Sequence, residues 1–374
     1  MTQTSLRKVV VTGAAGFIGR NLVLRLTELG AFEVRQVHKT TTPAQLAEDL
    51  KDCDVVFHLA GVNRPLDETE FIKGNLGSTQ SLVEAIKFSG AKPRIVYASS
   101  TKATEKTPYG VSKKAAEDCL LELARTDNLK IAIFRLPNVF GKWCRPNYNS
   151  AVATFCFNIA RGKPVEIRDA STILILGYID DVIDDWLKLI EEPNPQTAFA
   201  EVSKIYNTTV GEVATQIQRF AGLRKQGRVG LVGEGLQRAL YATFVSALPA
   251  SELAYPMTVH ADERGSFSEF VKTENSGQVS FFTALPGITR GGHYHHTKTE
   301  KFLVVEGQAR FEFRSLETGE RIEIMTSSDD LTVVETIPGW AHNITNIGNT
   351  TLIALQWANE VFDPSHPDTI AAKV

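Results

Sequence analysis

Across 374 residues the chain has no apolar run long enough to cross a bilayer, only four cysteines, and almost no surplus of charge, with 40 Lys and Arg against 43 Asp and Glu for a net of -3. Each shortage excludes something. A membrane helix needs about 20 consecutive apolar residues, and none are present. The run Val9-Val10-Val11 after Arg7-Lys8 is interrupted at once by glycines, so it does not read as a signal peptide. Cys53, Cys119, Cys144 and Cys156 are scattered without a C-x-x-C pair, which fits buried thiols in a reducing cytoplasm rather than a disulfide framework. The near-neutral balance gives no basic face for nucleic acid, and 43% hydrophobic residues argue against disorder. There is no internal repeat or low-complexity segment. The expected partner is a small molecule in the cytoplasm, with no nucleic acid and no membrane.

The length allows two domains, each with its own core. Helical periodicity runs through Ile183 to Ile190, Val213 to Phe220 and Leu236 to Tyr241; from Tyr255 onward period-two alternation takes over, as in Arg310-Phe311-Glu312-Phe313-Arg314 and Arg321-Ile322-Glu323-Ile324. The change falls between Ala247 and Tyr255. It sets the expected domains at 1–250 and 251–374.

At the N-terminal end, the β-branched strand Val9-Val10-Val11 opens into Thr12-Gly13-Ala14-Ala15-Gly16-Phe17-Ile18-Gly19 and then the apolar period of a helix from Phe17 to Leu29. Glycines at a strand-to-helix turn let a backbone approach a pyrophosphate closely. The first turn of the helix offers unpaired N–H groups and a positive dipole end. Gly13, Gly16, Phe17, Ile18 and Gly19 are therefore candidate cofactor contacts. The second strand, Phe32 to Val37, should end beside the adenosine ribose, where an acidic residue would suit NAD. His38-Lys39 stands there instead, with Arg20 near, and these cations favour a 2′-phosphate and hence NADPH. In Tyr109-Gly110-Val111-Ser112-Lys113 the Tyr and Lys sit one helical turn apart, so the ammonium can lower the phenol pKa and make Tyr109 a proton donor or acceptor.

The C-terminal half carries Gly287, His293, His295, Glu300 and Gly307 at the spacing G-x5-H-x-H-x4-E-x6-G, then Pro338-Gly339 and His342. On a strand, His293 and His295 point to one side; Glu300 would join from the next strand and His342 from a third. Three imidazoles and a carboxylate suit a divalent transition metal, zinc foremost, with positions left open for water or substrate.

The N-terminal residues resemble the extended short-chain dehydrogenase/reductase family over about residues 6 to 240. That resemblance implies an α/β Rossmann domain with a doubly wound parallel sheet and activity on nucleotide sugars. It implies Ser100, at the end of the strand from Arg94, as catalytic partner of Tyr109 and Lys113, although the separation from Tyr109 is shorter than the family's usual one. It also implies that His58-Leu59-Ala60-Gly61 is the loop after the fourth strand, bringing His58 and Ala60 beneath the nicotinamide ribose. Pro137 and Asn138, in Leu136-Pro137-Asn138-Val139-Phe140-Gly141, fall where nicotinamide and substrate diphosphate meet.

The C-terminal pattern resembles the two cupin motifs, with Pro338 and Gly339 adjacent where a residue often intervenes, and implies an all-β cupin barrel. Asp262-Glu263-Arg264-Gly265-Ser266-Phe267-Ser268-Glu269 is similar to a segment of the cupin-fold dTDP-4-keto-6-deoxyhexose 3,5-epimerases, which makes Arg264 and Glu269 candidate substrate contacts. Arg290-Gly291-Gly292-His293 is similar to another stretch of those enzymes. A reductase followed by a metal cupin resembles the bifunctional enzymes of capsular polysaccharide and O-antigen synthesis. Membership implies a homodimer that epimerises C3 of a UDP-2-acetamido-2,6-dideoxy-4-hexulose in the cupin and reduces C4 with NADPH, toward UDP-N-acetyl-L-fucosamine. The alternative is a nucleotide-sugar epimerase or dehydratase carrying a non-catalytic, metal-stabilised cupin for binding or dimerisation. A 4,6-dehydratase, however, would want carboxylates where Thr101-Lys102 stands.

Overall fold

The computed structural model describes residues 6–192, 197–256, 260–262, 265–267, 272–273, 277–360 and 365–374. The chain opens with β1 (Arg7–Thr12), α1 (Phe17–Leu29), β2 (Phe32–Val37), α2 (Pro43–Leu50) and β3 (Val55–His58). A short α3 (Thr69–Phe71) runs into a π-helical turn over Ile72–Gly77 and α4 (Ser78–Ser89), then β4 (Arg94–Ser100), α5 (Pro108–Asp127) and β5 (Ile131–Leu136). Next come β6 (Asn138–Phe140), α6 (Ala151–Ile159), β7 (Ile173–Tyr178), α7 (Ile179–Glu191), β8 (Ala198–Ala200) and β9 (Tyr206–Thr209). The helical part ends with α8 (Val210–Lys225), β10 (Arg228–Val229) and α9 (Gly235–Ser246). Beyond it lie β11 (Ala254–Pro256), β12 (His260–Asp262), β13 (Gly265–Phe267), β14 (Lys272–Thr273), β15 (Gln278–Ala284), β16 (Thr289–Tyr294) and β17 (Glu300–Glu306). The last strands are β18 (Gln308–Ser315), β19 (Arg321–Ser327), β20 (Thr332–Glu335), β21 (Trp340–Asn346), β22 (Leu352–Ala358) and β23 (Ile370–Ala371).

Two compact units emerge, one of residues up to Val139 with Ile175–Asn207, the other of Phe140–Leu174 with Thr208–Val374. In the first, a six-stranded parallel sheet has the order β2-β1-β3-β4-β5-β8. Its central strands are buried at all positions but Ser100 and Arg135 because helices cover both faces. Val10, Val56, Ile95, Tyr97, Ile131 and Ile133 pack with α2, α4 and α5, while their neighbours Phe57 and Phe134 meet the fully buried Trp186 of α7 at ring-centroid distances of 5.8 and 5.9 Å. Trp186 reaches them because Ile179, Val182, Ile183, Trp186 and Ile190 form one apolar stripe at helical spacing.

The strand count corrects one expectation. Between β2 and β3 the chain holds a single helix, α2, which carries it across β1 without the additional strand that the family's first half was expected to contain. The His58 loop therefore follows the third strand rather than the fourth. The order reverses between β1 and β3, and in an open α/β sheet a ligand is received in the crevice beyond the strand ends at such a switch point.

In the second unit, antiparallel sheets of order β11-β20-β17-β22-β15 and β19-β18-β21-β16-β23 supply the core. Phe302, Val304, Val334, Leu352 and Ala354 from one sheet meet Ala309, Phe311, Phe313 and Ile344 from the other. On β18 the alternation is complete, with Phe311 and Phe313 inward and Arg310, Glu312 and Arg314 half-exposed.

At one edge α8 is anchored to this core by charge. Arg224 donates to buried Glu335 through Nε, Lys301 reaches the other oxygen of Glu335, and Lys301 Nζ also donates to Tyr255 Oη at 2.7 Å. Burial disfavours the charged form of Glu335, but Lys301 and Arg224 outweigh it and hold its pKa below the ordinary carboxylate value. Glu335→Gln leaves two buried cations facing a neutral amide, so it should cost about 3 kcal/mol, measured as a drop in the urea midpoint of this unit. Because the folded pKa is depressed, the carboxylate's contribution is complete above its unfolded pKa and fades as pH falls toward the folded one. The variant should therefore narrow its deficit on acidification.

Candidate active site and metal centre

The turn between β1 and α1 is shaped for an approaching backbone. Gly13 has φ +68°, and a Cβ there would stand 2.8 Å from the Ala60 nitrogen; a Cβ on Gly19 would stand 2.3 Å from the Gly13 carbonyl oxygen. Only glycine lets this turn, the start of α1 and the end of β3 close together. Gly16 occupies the N-cap of α1 without a side chain to satisfy the first-turn N–H groups of Phe17, Ile18 and Gly19, which suits a phosphate. Arg20 lies half-buried on that helix, and His38 and Lys39 are exposed just past β2.

Behind this turn His58 is enclosed. Its Nδ1 pairs with Thr12 Oγ1 at 2.8 Å and its Nε2 with Thr79 Oγ1 at 2.9 Å, while burial and the nearby Lys113 charge lower its pKa to about 3. A neutral ring so engaged ties β1, β3 and α4 together. What remains to face a cofactor is the backbone that follows, where Thr12 Oγ1 also accepts from Ala60 N at 3.2 Å.

Tyr109 and Lys113 both lie on α5, which begins at Pro108 with Thr107 Oγ1 accepting from Gly110 N. Lys113 is buried, donates to the Ala98 carbonyl at 3.0 Å, and has its pKa lowered by burial to about 8. Space for it depends on Gly61, since a Cβ there would stand 3.3 Å from Lys113 Nζ and 2.6 Å from Asn75 Oδ1. The two serines at the end of β4 separate by strand alternation. Ser99 is buried and donates to Glu117 Oε1 at 2.6 Å, whereas Ser100 is half-buried and accepts from Lys102 N at 3.2 Å. Pro137 and Asn138 follow β5, with Asn138 exposed.

Asn75 escaped the sequence reading. Its Oδ1 accepts from Val62 N and its Nδ2 donates to Val62 O and Ser112 Oγ, all at 2.9 Å, so it fixes the loop after β3 against the helix bearing Tyr109 and Lys113. It sits in the π-helical turn, a distortion often found at functional sites. The only signal was the interruption Lys73-Gly74-Asn75-Leu76-Gly77 in a helical stretch.

In the second unit, ligand atoms of His293, His295, Glu300 and His342 all lie within 4.8 Å of one another. His293 is on β16, Glu300 opens β17 and His342 is on β21, as expected, but His295 lies beyond the last residue of β16. The register shifts between Gly291 and His293, which ends the regular alternation on which a shared strand face was expected. The His293 and His295 rings nevertheless converge, with centroids 5.0 Å apart. His295 Nε2 pairs with Glu300 Oε2 at 3.1 Å while its Nδ1 is held by the Asp368 carbonyl. His342 Nε2 stands 3.3 Å from the same oxygen out of hydrogen-bond alignment, and neither nitrogen of this buried ring has a hydrogen-bond partner among the described residues.

Electrostatics favour the ligating forms of His293, Glu300 and His342. Burial, with His342 and His295 adding to it, lowers the His293 pKa to about 4; burial also lowers that of His342. Burial opposes the charge on Glu300, yet His295 and His342 keep its pKa well below the ordinary value. The lowered pKa values of His293 and His342, an ionised Glu300 and the two orphan nitrogens of the His342 ring fit a divalent cation. Arg264 and Glu269, expected to touch substrate in this half, lie outside the described residues.

Comparison with known proteins agrees with both halves. The model of the NAD dependent epimerase/dehydratase family matches residues 9–207, and that of the polysaccharide biosynthesis C-terminal domain matches residues 260–370. The chain is 48% identical to UDP-2-acetamido-2,6-beta-L-arabino-hexul-4-ose reductase of Pseudomonas aeruginosa, over 98% of this chain and 99% of that one. Its fold superposes on a crystal structure of the capsular polysaccharide assembling protein CapF of Staphylococcus aureus with a TM-score of 0.66 and 38% identity, covering 98% and 100% of the two chains. UDP-glucuronic acid 4-epimerase of Bacillus cereus, at 22% identity and a TM-score of 0.53 over 57% of this chain and 83% of that one, shares the fold. No helix among the described residues is long and apolar enough to cross a membrane.

If the four side chains bind one ion, Glu300→Ala and His342→Ala should each lower the metal found by elemental analysis of purified protein. Undiminished stoichiometry in either variant would show that the ligand set is misassigned.

Proposed function

Because the chain belongs to the NAD dependent epimerase/dehydratase family, we propose that it is a nucleotide-sugar reductase of polysaccharide synthesis that also carries a C3 epimerase, with the functional division near residue 250. The substrate is a UDP-2-acetamido-2,6-dideoxy-4-hexulose, epimerised at C3 in the cupin and reduced at C4 in the N-terminal domain toward UDP-N-acetyl-L-fucosamine. The observation that carries the reading is one chain holding both a Tyr109–Lys113 helix with a depressed ammonium pKa and a buried His3Glu cluster over a cavity.

In the reductase, a bound nicotinamide would supply hydride to C4; Tyr109 delivers the proton to the C4 oxygen, Lys113 supplies the positive charge that eases proton movement, and Ser100 holds the carbonyl oxygen. Gly13, Gly16, Phe17, Ile18 and Gly19 cradle the pyrophosphate. Arg20, His38 and Lys39 receive the 2′-phosphate of NADPH, and Asn138 contacts the sugar nucleotide. In the cupin, His293, His295, Glu300 and His342 would hold a divalent cation, zinc foremost, which would supply positive charge for a carbonyl oxygen that gains electrons. Arg264 and Glu269 orient the substrate there. A homodimer follows from the resemblance and is measurable by light scattering.

The order of the two steps follows from carbonyl chemistry. A C3 hydrogen is acidic only while C4 is a carbonyl able to take up charge, and reduction removes that carbonyl. Epimerisation comes first. Incubating the protein with the UDP-4-keto sugar in deuterated water should introduce deuterium at C3 without NADPH and give reduced product only once NADPH is added. Reduction without prior exchange would refute the sequence.

Two variants and one comparison sharpen this. Tyr109→Phe should slow reduction at least a hundredfold, within the usual contribution of a general acid, and leave exchange at C3 intact. Loss of both activities in a folded variant would count against separate sites. NADPH should be preferred over NADH at least tenfold in kcat/KM, about 1.4 kcal/mol, and Lys39→Ala should erode that preference. Equal use of the two cofactors by the unaltered protein would overturn the role given to Arg20, His38 and Lys39.

A further inference from the structure

Removing a proton beside a carbonyl needs a base, and side chains engaged by a metal are not free to act as one. A cavity of about 300 Å³ lies over His293, Glu300 and His342, with Phe282, Phe302 and Phe311 among its apolar walls. Several of its polar walls are already engaged. Asn343 Oδ1 accepts from Gly292 N and Gln356 Nε2 donates to Glu300 Oε1, each at 2.7 Å, and Arg290 donates to the Thr283 carbonyl at 3.1 Å. Lys298 Nζ donates to Thr369 Oγ1 at 2.5 Å. Among the described residues, one carboxylate besides Glu300 lines this cavity, and it is Glu360.

Glu360 is held in position by its neighbour. Asn359 is fully buried; its Oδ1 accepts from Thr299 N at 2.9 Å and its backbone N–H donates to the Thr299 carbonyl at 3.1 Å, so the chain entering Glu360 is fixed to the turn that joins His295 to Glu300. The Glu360 side chain keeps 21% of its surface exposed and has Arg238 Nη1 at 3.9 Å, too far for a tight pair. The charged groups that face it are Asp368, Arg238, Lys298 and His295. Burial and then Asp368 raise its pKa, against the pull of Arg238, Lys298 and His295. A carboxylate moved toward neutrality is the better base at pH 7.

Resting on the reading of this domain as a C3 epimerase, we infer that Glu360 is the catalytic base that takes the C3 proton of the keto sugar. The C3–H bond breaks, Glu360 takes the proton, and the electron pair becomes the C3–C4 π bond as the C4 oxygen gains negative charge. A solvent-derived proton adds to the opposite face of C3 and restores the carbonyl, and Glu360 returns its proton to water. Atoms and charge balance without a redox partner.

The test is deuterium incorporation at C3 of the UDP-4-keto sugar, followed by NMR on the full-length, metal-loaded protein without NADPH. Glu360→Gln should slow exchange at least a hundredfold while metal content by elemental analysis stays at the unaltered protein's level. In the unaltered protein the rate should rise with pH as Glu360 loses its proton, centred above the ordinary carboxylate range, and the variant should lack that rise. Glu360→Ala should regain exchange when acetate is added, a recovery that a merely structural residue would not give. Full exchange in Glu360→Gln, loss of metal from it, or no recovery with acetate would each overturn the assignment while leaving the epimerase reading intact, provided that the unaltered protein exchanges. No exchange in the unaltered protein overturns both.

Discussion

Four donors with one formal negative charge converge in the C-terminal domain, and enclosing them is the constraint on which its interior is built. Glu300 and His342 are almost fully buried, so each loses the solvation that would otherwise satisfy it. The lowered pKa values of His293 and His342 and of the Glu300 carboxylate leave a set of lone pairs that a divalent cation completes better than protons do. The surrounding architecture is consistent with that need. Gln356 steadies the second oxygen of Glu300, and the Asp368 carbonyl orients His295 from the far side. The Asp368 carboxylate accepts from the N–H groups of His296, Thr297 and Lys298, which fixes the turn between His295 and Glu300; the adjacent His296 and His295 rings, and then these hydrogen bonds, hold its pKa low despite burial.

The first unit handles buried charge in another way. Lys113 donates to the Ala98 carbonyl rather than to a carboxylate, and burial depresses its pKa. An ammonium poised near neutrality is more useful to a proton-transferring tyrosine than one locked in an ion pair. The carboxylate that could have neutralised it, Glu117, one turn further along α5, is instead engaged by Ser99 and by Nε and Nη2 of Arg135. Opposite charges on one helix are thus held apart by different partners.

What was legible in the sequence was what short spacing determines. The glycine turn, the Tyr109–Lys113 pair and the H-x-H-x4-E run each lie within one or two elements, where strand and helix periods dictate facing. The bounds of α1 and β2 and the choice of α/β then all-β architecture were readable for the same reason. Contacts closed over long separations were not. Asn75 matters through a π-helical turn that no period announces, and Asp368 and Glu360 reach the His293, His295, Glu300 and His342 cluster from far along the chain. His295 was expected on a strand that ends one residue earlier, at Tyr294, after a register shift between Gly291 and His293, and the missing strand between β2 and β3 left no mark in composition.

On the proposed reading, the pairing of two chemistries in one chain has a thermodynamic logic. Proton transfer at C3 interconverts two keto sugars of similar energy, so an epimerase alone delivers a mixture. Hydride transfer from a cofactor maintained in its reduced form is strongly downhill, and it acts on the carbonyl that makes C3 labile. A reductase that accepts one C3 configuration, because the other misplaces the acceptor carbon, drains the mixture in one direction and removes the acidity that would permit reversal. Configuration at C3 is then set by selectivity at Tyr109, although the bond to C3 hydrogen is broken in the other domain.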